Sequence, residues 1–329
     1  MKAAWYTKNG EARDVLQVGV QPDPVPGPGE VLVRLHASGV NPSDVKSRRG
    51  RPLAGPLVIP HSDGAGVIAG MGEGVPASLA GRRVWIWNGQ WQRPHGTAAE
   101  FIALPAAQAV PLPDDVDFAT AACFGIPALT AIHAVRLAEA AGTKEQPVRT
   151  LLVTGAASSV GHYVTQIAAQ KGMRVIGTAS AARAAVARAA GATDVIDYRA
   201  EDVAARVASL TGGRGVDAII DMDLSSTAPL LAQGVLAPHG TLVCYGSNAM
   251  GDVALPFRDL LFRGLSLKFF VVYELTPAER RAALADLDAL LAAQALATRI
   301  AARFALADIA AAHEAVEQGA AGNVVIGIP

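Results

Sequence analysis

From residue 150 onward, short apolar runs alternate with alanine-rich stretches, and this alternation constrains the fold more than any other feature of the chain. The stretch after the first run places Val160, Val164 and Ile167 on one face of a helix that ends at Gly172. Strands that alternate with helices in this way form βαβ units, and helices cover both faces of their parallel sheet. The sequence therefore predicts an α/β fold with a doubly wound parallel sheet, whose strands lie at TLLVT (150–154), RVIGTA (174–179), DVIDY (194–198), VDAIID (216–221) and GTLVCYG (240–246).

The first third of the chain has a different pattern. Glycine and proline separate short runs in which apolar and polar residues alternate, as in residues 31–40 and 82–87. This pattern is typical of a barrel-like β region with little helix. A chain of 329 residues is also longer than one hydrophobic core usually supports, so we predict two domains with a boundary near residue 120.

Composition excludes several classes of protein. Hydrophobic residues make up 51% of the chain and charged residues 17%, which excludes a disordered chain. The 28 basic residues nearly balance the 29 acidic ones, so we expect no nucleic-acid partner and no attachment to an anionic membrane. The longest uncharged stretch, residues 118–135, contains Gly125 and Pro127, and we therefore expect no membrane span.

Cys123 and Cys244 are too few and too far apart for a disulfide framework or a four-thiolate zinc site. A reducing compartment suits such a chain. Its first residues include Lys8, Glu11 and Arg13, where a secretion signal needs an apolar run. We therefore expect a cytoplasmic protein.

The segment LLVTGAASSVG, residues 151–161, joins the first strand of the predicted sheet to its helix. A dinucleotide-binding turn needs small residues at this place, because the turn is tight and the backbone must approach the pyrophosphate. We expect the pyrophosphate to lie over the start of the helix. The alternative is an ordinary strand–turn–helix connection whose small residues serve packing. The three glycine positions of GxGxxG are occupied here by Ala156, Ser158 and Gly161, and the candidate cofactor contacts are these three residues with Ser159 and Val160.

The residues after the next strand distinguish NAD from NADP. An NAD-binding chain carries an acidic residue about 20 positions after the turn, which accepts hydrogen bonds from the ribose 2′-hydroxyl. Here Ser180 and Arg183 follow the strand, and no acidic residue occurs between Gly161 and Asp194. A hydroxyl and a guanidinium bind a 2′-phosphate, so the sequence favours NADPH as the cofactor. Tyr198 is a candidate for the adenosine side; surface roles remain the alternatives for both Arg183 and Tyr198.

Six segments, in order along the chain, resemble the zinc-free quinone oxidoreductases, the zeta-crystallin-like branch of the medium-chain dehydrogenase/reductase superfamily. They are GVNPSD (39–44), SDGAGVI (62–68), GTAAEF (96–101), ACFGIPALTA (122–131), LLVTGAASSVG (151–161) and TGGRGVDAIID (211–221). The resemblance implies a GroES-like β-barrel catalytic domain over residues 1–122, completed by residues 275–329, and a Rossmann NADPH-binding domain over residues 123–274. It also implies NADPH-dependent reduction of quinones, enones or other conjugated carbonyl compounds in the cleft between the domains, by a homodimer or homotetramer.

The resemblance assigns further residues to the site. It implies that Asn41 and Asp44 line the floor of the cleft. Lys46 stands where many relatives carry a tyrosine acid, so it is a candidate to donate a proton or hold an anionic oxygen, with a surface lysine as the alternative. The residues implied to contact the cofactor are Thr130 at the carboxamide, Gly246 and Ser247 at the ribose, Phe270 and Val271 near the nicotinamide, and Asn323 at the phosphate or ribose.

Zinc-bearing relatives carry a cysteine where Asn41 stands and a Gly-His-Glu motif near residues 61–63, and this chain has neither. His61 and Asp63 form at most a partial ligand pair, and a histidine beside a turn aspartate is usually structural. We therefore expect no metal. Alcohol oxidation needs a Lewis acid to lower the alkoxide pKa, whereas hydride delivery to a conjugated acceptor does not.

Two other functions remain open at this stage. A reductase of 2-alkenals or enoyl thioesters shares the fold, the cofactor and the hydride step. A non-catalytic, zeta-crystallin-like protein that binds NADPH belongs to a different class.

Residues 85–94 contain three tryptophans and are predicted to form an apolar wall that selects flat substrates. A dimer contact or an exposed aromatic loop are the alternatives for this segment.

Overall fold

The computed structural model describes residues 1–249 and 251–329. Within these residues, none of the helices combines the length and the apolar character that crossing a bilayer requires.

A π-helical turn, Phe124–Ala128, leads into the helix α4. The strands are β1 (Lys2–Trp5), β2 (Gln17–Val20), β3 (Glu30–Val40), β4 (Asp63–Met71), β5 (Arg83–Ile86), β6 (Phe101–Pro105), β7 (Ala109–Pro111), β8 (Thr150–Val153), β9 (Arg174–Thr178), β10 (Asp194–Ile196), β11 (Val216–Asp221), β12 (Leu236–Cys244), β13 (Ser266–Phe269), β14 (Ile300–Ala305) and β15 (Asn323–Gly327). The α-helices are α1 (Ala12–Val15), α2 (Pro42–Gly50), α3 (Phe118–Ala121), α4 (Leu129–Glu139), α5 (Ser159–Gln170), α6 (Ala184–Ala189), α7 (Val203–Thr211), α8 (Leu224–Thr227), α9 (Phe257–Phe262), α10 (Pro277–Ala292) and α11 (Ile309–Glu317).

The chain divides into two compact units. The first comprises Met1–Pro127 and Thr298–Pro329, and the second comprises Ala128–Ala297. Helix α10 belongs to the second unit, where it packs against α4 and buries Ala283 and Leu287. The chain therefore returns to the first unit after α10, whereas we predict from the sequence a return before α10, at residue 275.

The second unit is built on a parallel sheet. Among the described residues, its strands lie in the order β10-β9-β8-β11-β12-β13, and every neighbouring pair is parallel. Leu152, Ile176 and Ile219 on the central strands are fully buried, as expected where helices cover both faces. The winding reverses between β8 and β11, and a doubly wound sheet binds its ligand outside the carboxyl ends of the strands at such a reversal. This arrangement confirms the predicted Rossmann fold.

The first unit is mostly antiparallel β-structure. Within the described residues, seven strands form a sheet, in which the long β3 pairs with β4, β6 and β15. The strands β14 and β15 come from the last part of the chain and complete this sheet. Val33, Leu35, Ile102 and Ile326 are fully buried in its core. The predicted GroES-like β domain is thus confirmed.

A chain of hydrogen bonds links four buried side chains of the first unit. Thr97 Oγ1 donates its single proton to the Asp63 carbonyl at 2.5 Å, so Ser38 Oγ, at 2.8 Å from Thr97 Oγ1, must be the donor of the next bond. His61 Nδ1–H therefore donates to Ser38 Oγ at 2.9 Å, and His313 Nε2–H donates to His61 Nε2 at 2.9 Å. This sequence of donors fixes His61 as the neutral Nδ1–H tautomer and requires a proton on Nε2 of His313.

His61 also has a left-handed backbone with φ of 78°, which a non-glycine residue rarely adopts. Its side-chain bonds to Ser38 and His313 hold the residue in that conformation. Burial lowers the pKa of His61 to about 3 and the pKa of His313 well below the usual 6.5. Both rings thus stay neutral inside the folded unit.

We predict that acid weakens the protein through these two rings. The unfolded chain binds protons on them as the pH falls below 6.5, whereas burial keeps the folded rings neutral. Their contribution to stability is therefore complete above pH 6.5 and declines as the pH falls below it, by up to about 1.4 kcal/mol per pH unit for His61. His313→Phe should make the free energy of unfolding fall less steeply between about pH 6.5 and about pH 4.5. Urea denaturation at a series of pH values measures this slope.

The exposed His95 of the same unit supplies the control. His95→Gln should leave the slope of the wild-type protein unchanged. Equal slopes for the wild type and His313→Phe would contradict the interpretation.

Candidate functional site

The carboxyl end of β8 forms a tight bend. Gly155 has a left-handed backbone with φ of 63°, and its N–H donates to Thr178 Oγ1 at 3.0 Å. A Cβ atom at Gly155 would lie 2.2 Å from Met222 Sδ, a flexible side-chain end, so the left-handed backbone is the main reason for glycine here. Ala156 is fully buried, and its N–H donates to the Thr178 carbonyl at 2.9 Å. The side chain and the N–H of Ala156 therefore serve packing against β9.

The helix α5 begins directly after this bend. Ser158 is its N-cap, and its hydroxyl accepts a hydrogen bond from the Gly161 N–H at 3.1 Å. A Cβ atom at Gly161 would lie 2.1 Å from the Gly155 carbonyl oxygen, which explains glycine at this position. Ser159 and Val160 occupy the first helical positions, where N–H groups have no carbonyl partner within the helix. Both residues are half-buried, so the positive end of α5 can bind an anion there.

Of the five residues predicted to form this turn, the structure brings all five together and divides them by role. The N–H groups of Ala156 and Gly161 and the hydroxyl of Ser158 are bonded within the protein. The N–H groups of Ser159 and Val160, at the first helical positions, have no carbonyl partner within the helix and can donate to a phosphate. A dinucleotide pyrophosphate fits this arrangement, because the small bend permits close approach and the helix end supplies donors.

Asp221 ties the ends of β8 and β11 together, a role that we do not predict from the sequence. Its fully buried carboxyl accepts hydrogen bonds through Oδ1 from Thr154 Oγ1 at 2.8 Å and from Thr227 Oγ1 at 2.7 Å. Thr154 Oγ1 in turn accepts the Met222 N–H at 3.0 Å. Burial raises the pKa of Asp221 above its ordinary value. The signal available in the sequence is an aspartate that ends an otherwise apolar strand, VDAIID.

The residues after β9 and β10 lie side by side, because the two strands are parallel neighbours. Arg183 is half-buried and ends a short 3-10 turn that begins after Ser180. Its backbone N–H donates to the Ser180 carbonyl at 2.8 Å. Tyr198 is 50% exposed, and the Arg199 guanidinium lies 5.8 Å from the centre of its ring. Asp197, which is not among the predicted site residues, accepts the Ala181 N–H through Oδ2 at 3.2 Å.

The loop after β12 packs against the loop after β11. A Cβ atom at Gly246 would lie 2.7 Å from the Met222 carbonyl oxygen, so glycine permits this close approach. Asp223 accepts two hydrogen bonds from Asn248, one from the backbone N–H at 2.8 Å and one from Nδ2 at 2.9 Å. Ser247 is half-buried within the same loop. The predicted residues Gly246 and Ser247 are thus positioned by Asp223 at the carboxyl edge of the sheet.

The segment after β13 packs against α4. Thr130 lies in the first turn of α4 and is buried. The Phe270 ring meets the ring of His133, one turn further along α4, edge to face at 4.7 Å. Val271 is 49% exposed and is available for a ligand contact. The structure thus brings the second-unit residues Thr130 and Phe270 to neighbouring elements.

In the first unit, Asn41 spans two buried carboxyl groups. Its backbone N–H donates to Asp44 Oδ2 at 2.7 Å, and its Nδ2 donates to Asp63 Oδ2 at 2.9 Å. Asp63 Oδ2 also accepts the Ile126 N–H at 3.0 Å. Burial raises the pKa of Asp44 to about 7, and burial together with the neighbouring Asp44 raises the pKa of Asp63 well above its usual value. Asn41 and Asp44 therefore form one cluster, to which the structure adds Asp63.

Three other candidates have positions that favour structural roles. Lys46 is exposed on α2, two residues from Asp44 and therefore on another face of that helix. Asn323 is buried in the first unit, where its Nδ2 donates to the Arg299 carbonyl at 3.1 Å.

Trp85 is a fully buried core residue of β5, packed edge to face on Phe124, so it cannot belong to an apolar substrate wall. Trp87 and Trp91 are half-buried, and the Arg51 guanidinium lies 4.8 Å from the centre of the Trp91 ring.

Within the residues that the structure describes, no three His, Cys, Asp or Glu side chains are grouped to hold a metal ion. His61 and Asp63 do not form a ligand pair. Both ring nitrogens of His61 are bonded, to Ser38 and to His313, and Asp63 is bonded to Asn41 and Ile126.

Comparison with known proteins places both units in described families. Residues 27–114 match the family model of the alcohol dehydrogenase GroES-like domain, and residues 159–289 match that of zinc-binding dehydrogenases. The quinone oxidoreductase of Pseudomonas aeruginosa is 34% identical over 310 residues, which cover 92% of this chain and 92% of that protein. Among solved structures, a mycobacterial protein complexed with NADPH is 31% identical with a TM-score of 0.86, and an NAD-dependent alcohol dehydrogenase is 27% identical with a TM-score of 0.88. Each of these two comparisons covers 100% of both chains.

We predict that Asp44→Asn changes stability in a pH-dependent way. The folded protein holds the Asp44 proton up to about pH 7, whereas the unfolded chain releases it above pH 3.8. The contribution of Asp44 to stability is therefore present below pH 3.8 and is lost as the pH rises through about 7. Asparagine keeps an acceptor for the Asn41 N–H but does not ionise. The variant should therefore gain stability relative to the wild type as the pH rises, which chemical denaturation at a series of pH values measures.

Asp114→Asn, at an exposed surface carboxyl, is the matched control and should show no such gain. A difference between Asp44→Asn and the wild type that is the same at every pH would mean that Asp44 ionises as an ordinary carboxyl does.

Proposed function

Because the chain belongs to the quinone oxidoreductase family of the medium-chain dehydrogenase/reductase superfamily and is an NAD(P)H oxidoreductase, we propose that its cofactor is NADPH and that its acceptors are quinones or other conjugated carbonyl compounds. The observation that carries the proposal is the bend between β8 and α5, followed on the neighbouring strand by Ser180 and the half-buried Arg183. The NADPH complex of the mycobacterial relative supports the same cofactor.

The residues of the second unit fit a phosphorylated dinucleotide. The N–H groups of Ser159 and Val160 bind the pyrophosphate at the positive end of α5. The Arg183 guanidinium and the Ser180 hydroxyl bind the 2′-phosphate beyond β9, because a guanidinium pairs strongly with phosphate oxygens. The exposed ring of Tyr198 offers a face for the adenine.

When bound, NADPH supplies the hydride. The chain orients it through Thr130, Gly246 and Ser247, while Phe270 and Val271 exclude water from the nicotinamide side. Asn41 and Asp44 belong to the acceptor site. Reduction of a quinone to a hydroquinone consumes a proton together with each hydride, and Asp44 can hold a proton because burial raises its pKa to about 7. The exposed position of Lys46 favours its surface alternative over a role as the acid.

The proposed reaction uses no metal ion. Asn41 occupies the position at which zinc-bearing relatives carry a cysteine ligand, and an amide is a poor substitute for a thiolate. A conjugated acceptor is already electrophilic, so accurate placement of the reacting carbon is the main requirement.

We propose a second copy of the chain as a partner, in a homodimer or homotetramer. Phe257, Leu261 and Phe262 of α9 are exposed, and Phe269 is exposed on the edge strand β13. Among residues 1–249 and 251–329, β13 is the last strand of its sheet, and exposed apolar groups and sheet edges of this kind are usually covered by another chain. A cytoplasmic location is consistent with the free, buried thiols of Cys123 and Cys244.

The cofactor assignment predicts a selective effect of Arg183→Ala. Removal of the guanidinium should weaken NADPH binding by about tenfold or more, because a charge-assisted contact to phosphate is lost. NADH, which has no 2′-phosphate, should bind as before. Isothermal titration calorimetry with each cofactor measures both affinities, and Arg188→Ala, at an exposed arginine of α6, is the matched control. An equal loss for NADPH and NADH would refute the assignment of the 2′-phosphate to Arg183.

The acceptor class is tested by a panel of substrates. We expect kcat/KM with NADPH to be highest for a quinone, lower for an enone and lowest for an enoyl thioester. The highest value for the enoyl thioester would establish the alternative reductase function. Cofactor binding without turnover of any acceptor would establish a non-catalytic protein.

Treatment with a chelator should leave the rate unchanged.

A further inference from the structure

A carboxylate stands beside the turn that follows β9. Asp197 comes directly after β10, the parallel neighbour of β9, and its Oδ2 accepts the Ala181 N–H at 3.2 Å. Ala181 is the first residue of the 3-10 turn that ends at Arg183 and follows Ser180. The negative charge of Asp197 therefore lies at the same turn that supplies the Ser180 hydroxyl and the Arg183 guanidinium.

The charge of Asp197 is not neutralised by an ion pair. Within residues 1–249 and 251–329, no Lys, Arg or His nitrogen lies within ion-pair distance of its carboxylate; its partners are backbone N–H groups, from Ala181 at 3.2 Å and from Arg199 at 3.1 Å. Two carboxylates of the same region differ in this respect. Asp194, at the other end of β10, pairs with Arg174 at 2.8 Å, and Glu201 pairs with Arg206 at 3.0 Å. Asp197 thus retains a negative field toward the turn.

We propose that Asp197 is a specificity-determining residue that opposes Arg183 in the choice between NADPH and NADH. Its carboxylate repels a 2′-phosphate at the turn and can accept a hydrogen bond from the ribose 2′-hydroxyl of NADH. Arg183 attracts the 2′-phosphate. The two charges together narrow the difference in affinity between the two cofactors, so the protein binds both. This inference rests on the proposed nicotinamide cofactor.

The Asp197 carboxylate lies at the end of a different strand from the one on which dinucleotide-binding folds usually carry their acidic residue. Those folds carry it at the end of the second strand of the sheet. Here the second strand ends without one, and the third strand supplies it across the parallel pairing of β9 and β10. Spacing along the chain therefore cannot reveal Asp197 as part of the turn.

The test uses two ligands that differ only in the phosphate concerned, adenosine 2′,5′-bisphosphate and adenosine 5′-monophosphate. Asp197→Asn keeps an oxygen that can accept the Ala181 N–H and removes the charge. By isothermal titration calorimetry, the variant should bind the bisphosphate about threefold to fivefold more tightly than the wild type, while the monophosphate binds as before or slightly more weakly. Asp194→Asn removes one charge at the other end of the same strand and should leave both affinities unchanged.

The outcomes separate this inference from the proposed function. If the wild type binds neither nucleotide, the proposal of a nicotinamide cofactor is wrong. If it binds both and Asp197→Asn leaves their affinity ratio unchanged, Asp197 has no part in specificity. Asp197→Ser, in which a hydroxyl faces the turn, serves as the second variant should the amide disturb the fold. It should shift the ratio in the same direction, and an unchanged ratio in a folded serine variant also overturns the inference.

Discussion

The pairing of β8 with β11 is the interaction on which the candidate site depends. The sheet reverses its winding between these two strands, so their carboxyl ends form the edge that is open to a ligand. Asp221 holds that edge together, because Oδ1 of its buried carboxyl accepts hydrogen bonds from both Thr154 and Thr227. The bend at Gly155, the first turn of α5 and the loop that contains Met222 all take their positions from this link.

The fold was largely predictable from the sequence, and the reasons are local. The apolar runs of the second unit alternate with helices of clear amphipathic spacing, so the number and direction of the strands follow from the pattern. The point at which the chain passes from the second unit back to the first could not be predicted from the sequence. Whether α10 belongs to the first or the second unit depends on its packing against α4, and no local signal in residues 277–292 records that contact.

The candidate site likewise contains some residues that could be predicted from the sequence and others that could not. The turn from Ala156 to Gly161 was visible because tight backbone geometry demands small residues, and the pair of Asn41 and Asp44 was visible through the family resemblance. The roles of Asp63, Asp197 and Asp221 were not identified, because each one acts on a segment that is distant in sequence and adjacent only in the folded chain. Trp85 was misassigned for a related reason: an aromatic residue in a strand has two possible faces, and here the ring points into the core.

The bond between His61 and His313 has a consequence for how this sequence can diverge. A histidine with a left-handed backbone is tolerated only while its ring nitrogens are occupied, and the partner that occupies one of them lies 252 positions away. Replacing either residue alone leaves a buried nitrogen of the other without a partner, whereas glycine at position 61 with an apolar residue at position 313 removes the strain and the polar groups at once. The residues at positions 61 and 313 are therefore coupled, and homologues are expected to change them together.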